Sequence, residues 1–164
     1  MKPHKHPENY QFIHADSDND YTVARELFIE YANTLNFDLC FQNFDNELAE
    51  LPLMYHAPEG GIILVKEKGP DEFAGCVGIR KSDGRVAELK RMYIRPAHRH
   101  QGLGEHLLNL AIDLAKQLNY KKIRLDTMNS MTSAIKLYLG KGFKPVEPYR
   151  FNPHKDALFY ELTL

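Results

Sequence analysis

The sequence is poor in cysteine and carries almost no net charge. Its 164 residues include two cysteines, Cys40 and Cys76, whose separation matches no metal or redox motif. We expect both to be buried thiols in a reducing compartment, with a disulfide as the less favoured alternative. The 21 lysines and arginines nearly balance the 22 aspartates and glutamates, so the composition indicates no nucleic-acid partner.

Long hydrophobic runs are also missing. No apolar stretch is long enough to span a bilayer, and the N-terminus lacks the apolar centre of a signal peptide. We therefore expect a soluble, cytoplasmic protein without a membrane partner. The length predicts a single domain over residues 1–164, with residues 1–8 as a loose N-terminus. His4 and His6 have no further ligand residues nearby, so we expect no metal.

Apolar periodicity predicts an alternating order of strands and helices. Strict alternation indicates strands, and a repeat of three to four residues indicates helices. Asp16-Ser17-Asp18 offers N-caps for the first helix, Pro52 stops the second, and Ser82-Asp83-Gly84 has the composition of a hairpin turn. The predicted strands cover residues 10–15, 62–66, 73–80, 86–95, 122–126, 143–146 and 157–163. The first predicted helix has its apolar residues between positions 24 and 35, and further helices cover residues 42–51, 103–118 and 131–139. This order predicts an α/β sandwich with a mixed sheet.

The junction between the strand at 86–95 and the helix at 103–118 has the composition of an anion-binding turn. Pro96 ends the strand, and the segment Arg99-His100-Gln101-Gly102-Leu103-Gly104 leads into the helix. The two glycines let the backbone approach a ligand closely. The first-turn N–H groups of a helix have no partner within the helix, and the helix dipole places positive charge there. The junction therefore favours a phosphate or pyrophosphate.

Two common phosphate motifs do not fit this turn. No Gly-Lys-Ser/Thr follows, as a P-loop requires, and the third glycine of a dinucleotide fingerprint is absent. Arg99-x-x-Gly102-x-Gly104 instead resembles the R/Q-x-x-G-x-G/A signature of the GNAT acetyltransferases, whose loop holds the pyrophosphate of coenzyme A. The downstream pattern A-x-x-L-Y-x-x-x-G-F is matched by Ala134, Leu137, Tyr138, Gly142 and Phe143.

The resemblance implies a GNAT fold: a mixed central sheet of about six to seven strands, flanked by about four helices, with a splayed central strand. It also implies acetyl-CoA as co-substrate, with backbone groups of the central strand and the Gly-rich loop as contacts. Carried over by spacing, these contacts are Met92, Tyr93, Ile94, Arg99, His100, Gln101, Gly102, Leu103 and Gly104. Many relatives have an asparagine where this chain has Met131, and Asn129 or Ser133 is the expected substitute.

Glu88 is the candidate catalytic base, because some GNAT enzymes carry a glutamate at this point of the central strand. An apolar pocket raises the pKa of a glutamate and makes it a stronger base. The alternatives are an ion pair with Lys90 or Arg91, a side chain that faces water, and a water relay for the proton.

Tyr138 is the candidate catalytic acid. A phenol keeps its proton at neutral pH and can donate it to a departing thiolate. Tyr138 follows Ala134 by four residues, so both lie on one helix face. The alternative is a packing tyrosine with a satisfied hydroxyl.

The sequence therefore predicts an N-acetyltransferase that transfers the acetyl group directly to a primary amine of a small molecule, amino acid or peptide. Neither cysteine has the setting of a nucleophile, which disfavours an acetyl-enzyme intermediate. The alternative is a non-catalytic acyl-CoA-binding module on the same fold, and the presence of Glu88 and Tyr138 favours the enzyme. Arg150 is interpreted as a solvated surface residue rather than as a clamp for an acceptor carboxylate. The resemblance also allows a homodimer.

Overall fold

A seven-stranded mixed sheet forms the centre of the protein. The computed structural model describes residues 7–164. The strands are β1 (Tyr10–His14), β2 (Gly61–Glu67), β3 (Phe73–Asp83), β4 (Val86–Ile94), β5 (Lys122–Met128), β6 (Lys144–Pro145) and β7 (Ala157–Thr163). Their order across the sheet is β1-β2-β3-β4-β5-β7-β6, and all neighbours are antiparallel except β4 and β5. The predicted α/β architecture with a mixed sheet is confirmed.

Within residues 7–164, five α-helices accompany the sheet. They are α1 (Asp18–Thr34), α2 (Phe44–Ala49), α3 (Leu51–Met54), α4 (Leu103–Gln117) and α5 (Thr132–Gly140). Ser17 caps α1 as predicted: its hydroxyl accepts from the Asp20 N–H at 3.1 Å, and the Asp20 carboxylate accepts from the Ser17 N–H at 3.3 Å. The single helix predicted over residues 42–51 is wrong. Pro52 lies in the first turn of α3, where its missing N–H costs no hydrogen bond.

The helices cover both faces of the sheet because β2 is apolar on both sides. Ile63 and Val65 pack with the buried stripe of α4, whereas Ile62 and Leu64 pack with Leu27 and Phe28 of α1. Successive side chains of a strand point to opposite faces, so a continuous apolar run supplies both cores. Each fully buried leucine or isoleucine stabilises the fold by about 1.5–3 kcal/mol.

Three predicted boundaries change in the structure. Asp83 pairs with Val86, so β3 extends through Ser82 and Asp83, and the hairpin turn is formed by Gly84 and Arg85. The predicted strand over 143–146 shrinks to the two residues of β6. Residues 7–9 form a short 3-10 turn, while residues 1–6, including His4 and His6, lie outside the described residues.

The middle of the sheet is split between β4 and β5. Their parallel pairing covers only Val86–Glu88 opposite Lys122–Arg124, although both strands continue beyond it. On its other side β4 contains a bulge: Cys76 pairs with Tyr93 and Gly78 with Lys90, so Val77 faces two residues. Arg91, at the bulge, has a left-handed φ of 56°. The bulge bends β4 away from β5, and the predicted splayed central strand is present.

Candidate functional site

The turn before α4 has a backbone suited to an anion. Gly102 precedes the helix with φ 79°, and His100 has φ 64°. The left-handed region is accessible to glycine without steric cost, which explains Gly102. The Arg99 Nε donates to the Ile94 carbonyl at 2.9 Å and ties the turn to the end of β4. The first-turn amides of α4 therefore emerge beside the split in the sheet.

Gly104 serves packing as well as ligand approach. A Cβ atom at this position would lie 3.2 Å from Leu137 Cδ1 of α5. The missing side chain lets α4 and α5 come close together, and this contact fixes the position of α5 beside the turn. The sequence predicted that the backbone at Gly104 lets a ligand approach closely, but it did not predict the contact with Leu137.

A cavity of about 420 Å³, here called the α4 cavity, lies among the end of β4, the start of α4 and α5. Most of the predicted cofactor contacts line it: Met92, Tyr93, Ile94, Arg99, His100, Gly102, Leu103 and Gly104. Met131, Ser133 and Lys136 of the α5 region also line it, together with Tyr31 and Thr34 of α1. The turn and the bulged strand thus face one common space.

Two predicted contacts are not among the lining residues. The Gln101 side chain accepts a hydrogen bond from the Tyr10 hydroxyl at 3.1 Å. Asn129 is exposed, and its backbone N–H donates to the Asp156 carbonyl at 3.0 Å. Of the two expected substitutes for the family asparagine, Ser133 lines the α4 cavity, as does Met131 at the position of that asparagine.

A second cavity, here called the polar cavity, lies on the opposite side of the split. Its volume is about 620 Å³, and Glu88, Arg80, Arg124, Tyr149 and Arg150 belong to its lining. Tyr149 lies between two guanidinium groups, with Arg124 Cζ at 5.2 Å and Arg150 Cζ at 5.7 Å from its ring centre. Cation–π contacts of this kind hold both arginines beside the cavity.

A narrow cleft of about 40 Å³ lies between these two cavities. It shares Tyr31 and Met131 with the α4 cavity. Lys90 and Asp126 line the cleft on the side of the polar cavity. Lys90 Nζ lies 3.7 Å from Glu88 Oε1, and Asp126 Oδ1 lies 2.8 Å from Arg150 Nη2. The narrow cleft therefore adjoins the α4 cavity, and the ion pairs of Arg150 with Glu88 and Asp126 lie between the cleft and the polar cavity.

Glu88 is buried at the end of the polar cavity and is bound by two arginines. Arg80 Nε and Nη2 donate to Glu88 Oε1 at 3.3 and 3.2 Å. Glu88 Oε2 accepts from the Tyr149 hydroxyl at 3.2 Å and lies 2.6 Å from Arg150 Nη2. Lys90 Nζ is 3.7 Å from Oε1, so the predicted pairing with Lys90 exists, but the closest ionic partners come from β3 and from the loop between β6 and β7.

The interpretation of Arg150 as a solvated surface residue is wrong. Its Nη2 also lies 2.8 Å from Asp126 Oδ1, so one nitrogen bridges carboxylates of β4 and β5. Asp126 accepts further bonds from Gln42 at 3.2 Å and Asn152 at 3.3 Å. Burial alone would raise the pKa of Asp126, but Lys90 and Arg150 hold it below its usual value.

The bulge turns Lys90 and Arg91 toward one acceptor. Successive side chains of a regular strand point to opposite faces, yet Lys90 Nζ and Arg91 Nη1 both donate to Gln42 Oε1, at 2.8 and 2.9 Å. Arg91 also pairs with the buried Glu47 at 2.9 and 3.3 Å. Burial and the charge of Arg91 lower the pKa of Lys90 to about 7, and Glu88 opposes this shift.

Tyr138 is buried on α5, next to the α4 cavity. Ala134 and Leu137 of the same helix line that cavity, and the Tyr138 ring packs against Phe143 with 5.6 Å between ring centres. Burial, together with the nearby Tyr31 and Asp126, raises the pKa of Tyr138 well above the usual tyrosine value. The phenol therefore stays protonated at neutral pH.

Sequence reasoning missed Lys90, Asp126, Gln42 and Tyr31 as parts of this site. A signal existed for Lys90, because charged residues interrupt the otherwise apolar strand β4, and a lysine is almost never fully buried without a partner. Cys40 was also misjudged, since it is exposed, whereas Cys76 is buried as predicted; both thiols are free. The Cys76 thiol donates to the Arg91 carbonyl at 3.3 Å and supports the bulge.

Residues 7–164 contain neither a membrane-spanning helix nor a cluster of metal-ligand side chains. No helix in this range combines the length and apolar character that a membrane crossing needs. Within the same residues, no group of three or more histidine, cysteine, aspartate or glutamate side chains is arranged to hold a metal ion.

An anion-binding helix start joined by a split sheet to a polar cavity is suited to an enzyme that takes an acyl group from a phosphate-bearing donor. The profile of the GNAT acetyltransferase family matches residues 10–143. An uncharacterized N-acetyltransferase of Schizosaccharomyces pombe is 33% identical over 159 residues, covering 96% of this chain and 97% of that protein. The N-acetyltransferase YjgM of Escherichia coli is 31% identical, covering 76% of this chain and 74% of that protein. The chain belongs to the GNAT family and is an enzyme of the acetyltransferase class.

Solved structures agree with this fold. An acetyltransferase from Streptococcus agalactiae superposes with a TM-score of 0.76 at 18% identity, covering 96% of this chain and 99% of the other. An acetyltransferase from Salmonella typhimurium with acetyl-CoA has a TM-score of 0.69 at 19% identity, covering 94% of both chains. A GNAT acetyltransferase from Elizabethkingia anophelis with acetyl-CoA bound has a TM-score of 0.63 at 20% identity, covering 96% of this chain and 99% of the other.

Proposed function

We propose that this enzyme transfers the acetyl group of acetyl-CoA directly to a primary amine of a small molecule, amino acid or peptide. The observation that carries the proposal is the split between β4 and β5, with the α4 cavity on one side and the charged residues of the polar cavity on the other. A donor on one side and an amine on the other would meet at the split in the sheet. Holding two reactants together in this way lowers the entropic cost of the reaction.

The α4 cavity is the proposed acetyl-CoA site. The first-turn amides of α4 suit the pyrophosphate, and Arg99 and Lys136 add positive charge at the same cavity. Acetyl-CoA bound to two GNAT structures of the same fold supports this choice of co-substrate. Met92, Tyr93 and Ile94 would supply backbone groups to the pantetheine arm, because β4 has no partner strand on the split side beyond Glu88. The roles of Gln101 and Asn129 stay predictions.

We propose Glu88 and Tyr138 as the catalytic pair. Glu88 would take the proton that the attacking amine loses, since it lies between the polar cavity and the narrow cleft. Tyr138 would donate a proton to the departing thiolate, since its phenol is protonated at neutral pH. Direct transfer is further supported by Cys76, because burial raises the pKa of its thiol and keeps it from acting as a nucleophile.

Release of free thiol from acetyl-CoA tests the proposal. The enzyme is incubated with acetyl-CoA and separate pools of small amines, amino acids and peptides, and mass spectrometry identifies the acetylated product. We expect thiol release that depends on one pool, with one acetyl group added per thiol. Tight binding of acetyl-CoA without release in any pool would instead support the acyl-CoA-binding module.

We further propose that the enzyme is cytoplasmic, acts as a single domain over residues 1–164 and needs no membrane or nucleic-acid partner. The near balance of acidic and basic residues supports the last point. A homodimer is the oligomer suggested by the family, and sedimentation velocity distinguishes it from a monomer.

A further inference from the structure

Lys90 is a buried lysine that has no role in the proposed acetyl transfer by Glu88 and Tyr138. It is 3% exposed and lies on β4 between Glu88 and the bulge. Its side chain lines the narrow cleft, which adjoins the α4 cavity. In the proposed reaction, an amine that attacks a thioester at the split passes this side chain.

The partners of Lys90 leave its amine able to exist without a charge. Its hydrogen bond within the described residues is donated to Gln42 Oε1 at 2.8 Å, and an uncharged amine can donate this bond equally well. The charged groups around Lys90 are Glu88 and Arg91 of its own strand, Asp126 of β5 and Arg150 of the β6–β7 loop. Two further charged residues contact these groups: Arg80 pairs with Glu88, and Glu47 pairs with Arg91. Burial and Arg91 outweigh the two carboxylates and bring the pKa of Lys90 to about 7.

The Glu88 carboxylate is surrounded by hydrogen-bond donors. Both of its oxygens already accept hydrogen bonds, from Arg80 on one side and from Tyr149 on the other, and Arg150 lies 2.6 Å away. A proton on Glu88 would remove the negative charge that faces two guanidinium groups, and a buried charge without its counter-charge is costly. A proton that Glu88 takes from the amine therefore needs another group that can hold it.

We propose that Lys90 is the final acceptor of the proton that the attacking amine loses, with Glu88 passing the proton to it. This inference rests on the proposed function. The amine nitrogen forms a bond to the carbonyl carbon, and the carbon–sulfur bond breaks. The proton of the amine passes through Glu88, 3.7 Å from Lys90 Nζ, and makes Lys90 an ammonium. Tyr138 supplies a proton to the thiolate and regains one from solvent, while the Lys90 ammonium releases its proton to solvent. The overall reaction therefore moves one proton from nitrogen to sulfur.

Lys90→Arg tests the inference, because a guanidinium keeps the donor to Gln42 but stays charged throughout the neutral range and so cannot accept a proton. In the wild type we expect kcat, measured at saturating acetyl-CoA and amine, to rise with pH through about 7. In Lys90→Arg we expect kcat to fall about 100-fold and this rise to disappear, with little change in the KM for acetyl-CoA. Lys66→Arg is the matched control, since Lys66 pairs with Asp71 outside all three spaces.

Wild-type kcat and an unchanged pH profile in Lys90→Arg would overturn the inference. A second measurement is independent of the variant's folding: NMR titration of isotope-labelled lysines in the wild-type enzyme, with Lys90→Met used to assign the signal. We expect Lys90 to titrate near 7. A proton retained above about pH 9, near the ordinary lysine range, would also overturn it. Thiol release by the wild type tests the proposed function separately, because it does not depend on which group holds the proton.

Discussion

At the scale of single residues, the polar cavity depends on partners that are distant in sequence. Arg150 lies 2.6 Å from Glu88 and 2.8 Å from Asp126, and it stands between carboxylates of two diverging strands. Without this guanidinium the two negative charges would face each other across the split. Arg150 therefore stabilises the open sheet, and an acceptor amine that enters the polar cavity meets a carboxylate already bound by two arginines.

Tyr138→Phe is the residue-scale prediction for the acid. Removing the hydroxyl leaves the packing against Phe143 in place but removes the proposed proton donor for the thiolate. We expect kcat to fall by about 10²–10⁴-fold, the usual contribution of a general acid. The dissociation constant of acetyl-CoA, measured by calorimetry, should change little.

The control for this variant is its thermal unfolding, which should stay close to that of the wild type because the ring is retained. Unchanged turnover in a folded Tyr138→Phe enzyme would remove Tyr138 from the mechanism. A loss of acetyl-CoA affinity equal to the loss of kcat would instead indicate a binding role.

At the scale of elements, β4 and α4 together create the site. The bulge at Arg91 bends β4, the short pairing with β5 leaves the split, and the turn at Gly102 starts α4 beside it. None of these features depends on a particular side chain in the cofactor path. The geometry of β4 and α4 therefore predicts where a ligand binds, whereas the charged side chains predict which chemical steps the ligand undergoes.

Gly102→Ala is the element-scale prediction. With φ at 79°, an alanine is strained in a conformation that glycine adopts freely. We expect the free energy of unfolding to fall by about 1–2 kcal/mol and the affinity for acetyl-CoA to fall severalfold, because the first turn of α4 shifts. Urea denaturation and calorimetry measure the two effects.

Gly140→Ala is the matched control. Gly140 is the last residue of α5, and a Cβ atom there meets no atom within 4 Å. An alanine should leave acetyl-CoA binding unchanged and alter stability by no more than about 1 kcal/mol. Equal loss of affinity in both variants would contradict the role given to the turn at Gly102.

At the scale of the whole molecule, buried ionisable groups determine how stability depends on pH. Burial raises the pKa of eight tyrosines: Tyr10, Tyr21, Tyr31, Tyr55, Tyr93, Tyr120, Tyr138 and Tyr149. In the unfolded chain these phenols ionise near pH 10. Above that pH the unfolded state loses protons that the folded state keeps, so stability falls.

Lys90 has the opposite effect at lower pH. Its pKa is about 7 in the folded protein and about 10.4 in the unfolded chain. Between these values the unfolded state binds the extra proton, so its contribution to stability rises with pH and is lost as the pH falls toward 7.

We therefore expect the free energy of unfolding of the wild type to decrease between about pH 10 and 12 as tyrosines ionise. Lys90→Met should remove the part of the pH dependence that lies between about pH 7 and 10. Urea denaturation at several pH values measures both, with phenolate absorbance following the tyrosines. Parallel curves for the two proteins over the lower range would contradict the lowered pKa of Lys90.

Local patterns in the sequence determined β4, α4 and the turn between them. Pro96 ends the strand, Gly102 permits the left-handed turn, and the leucine stripe requires a helix with one buried face. These are interactions among near neighbours, so one sequence suffices to predict them, and with them the family. The break between α2 and α3 escaped prediction because Pro52 is equally compatible with the end of one helix and the start of the next.

Only the tertiary structure decided which charged groups meet. Glu88 and Arg150 are far apart along the chain, and so are Lys90 and Gln42, and each pair forms because the sheet order and the β6–β7 loop bring them together. Burial then sets their protonation, since the cost of a charge depends on the water and counter-charges around it. The sequence determines the residue type at position 90, whereas the protonation state of Lys90 depends on where the fold places its side chain.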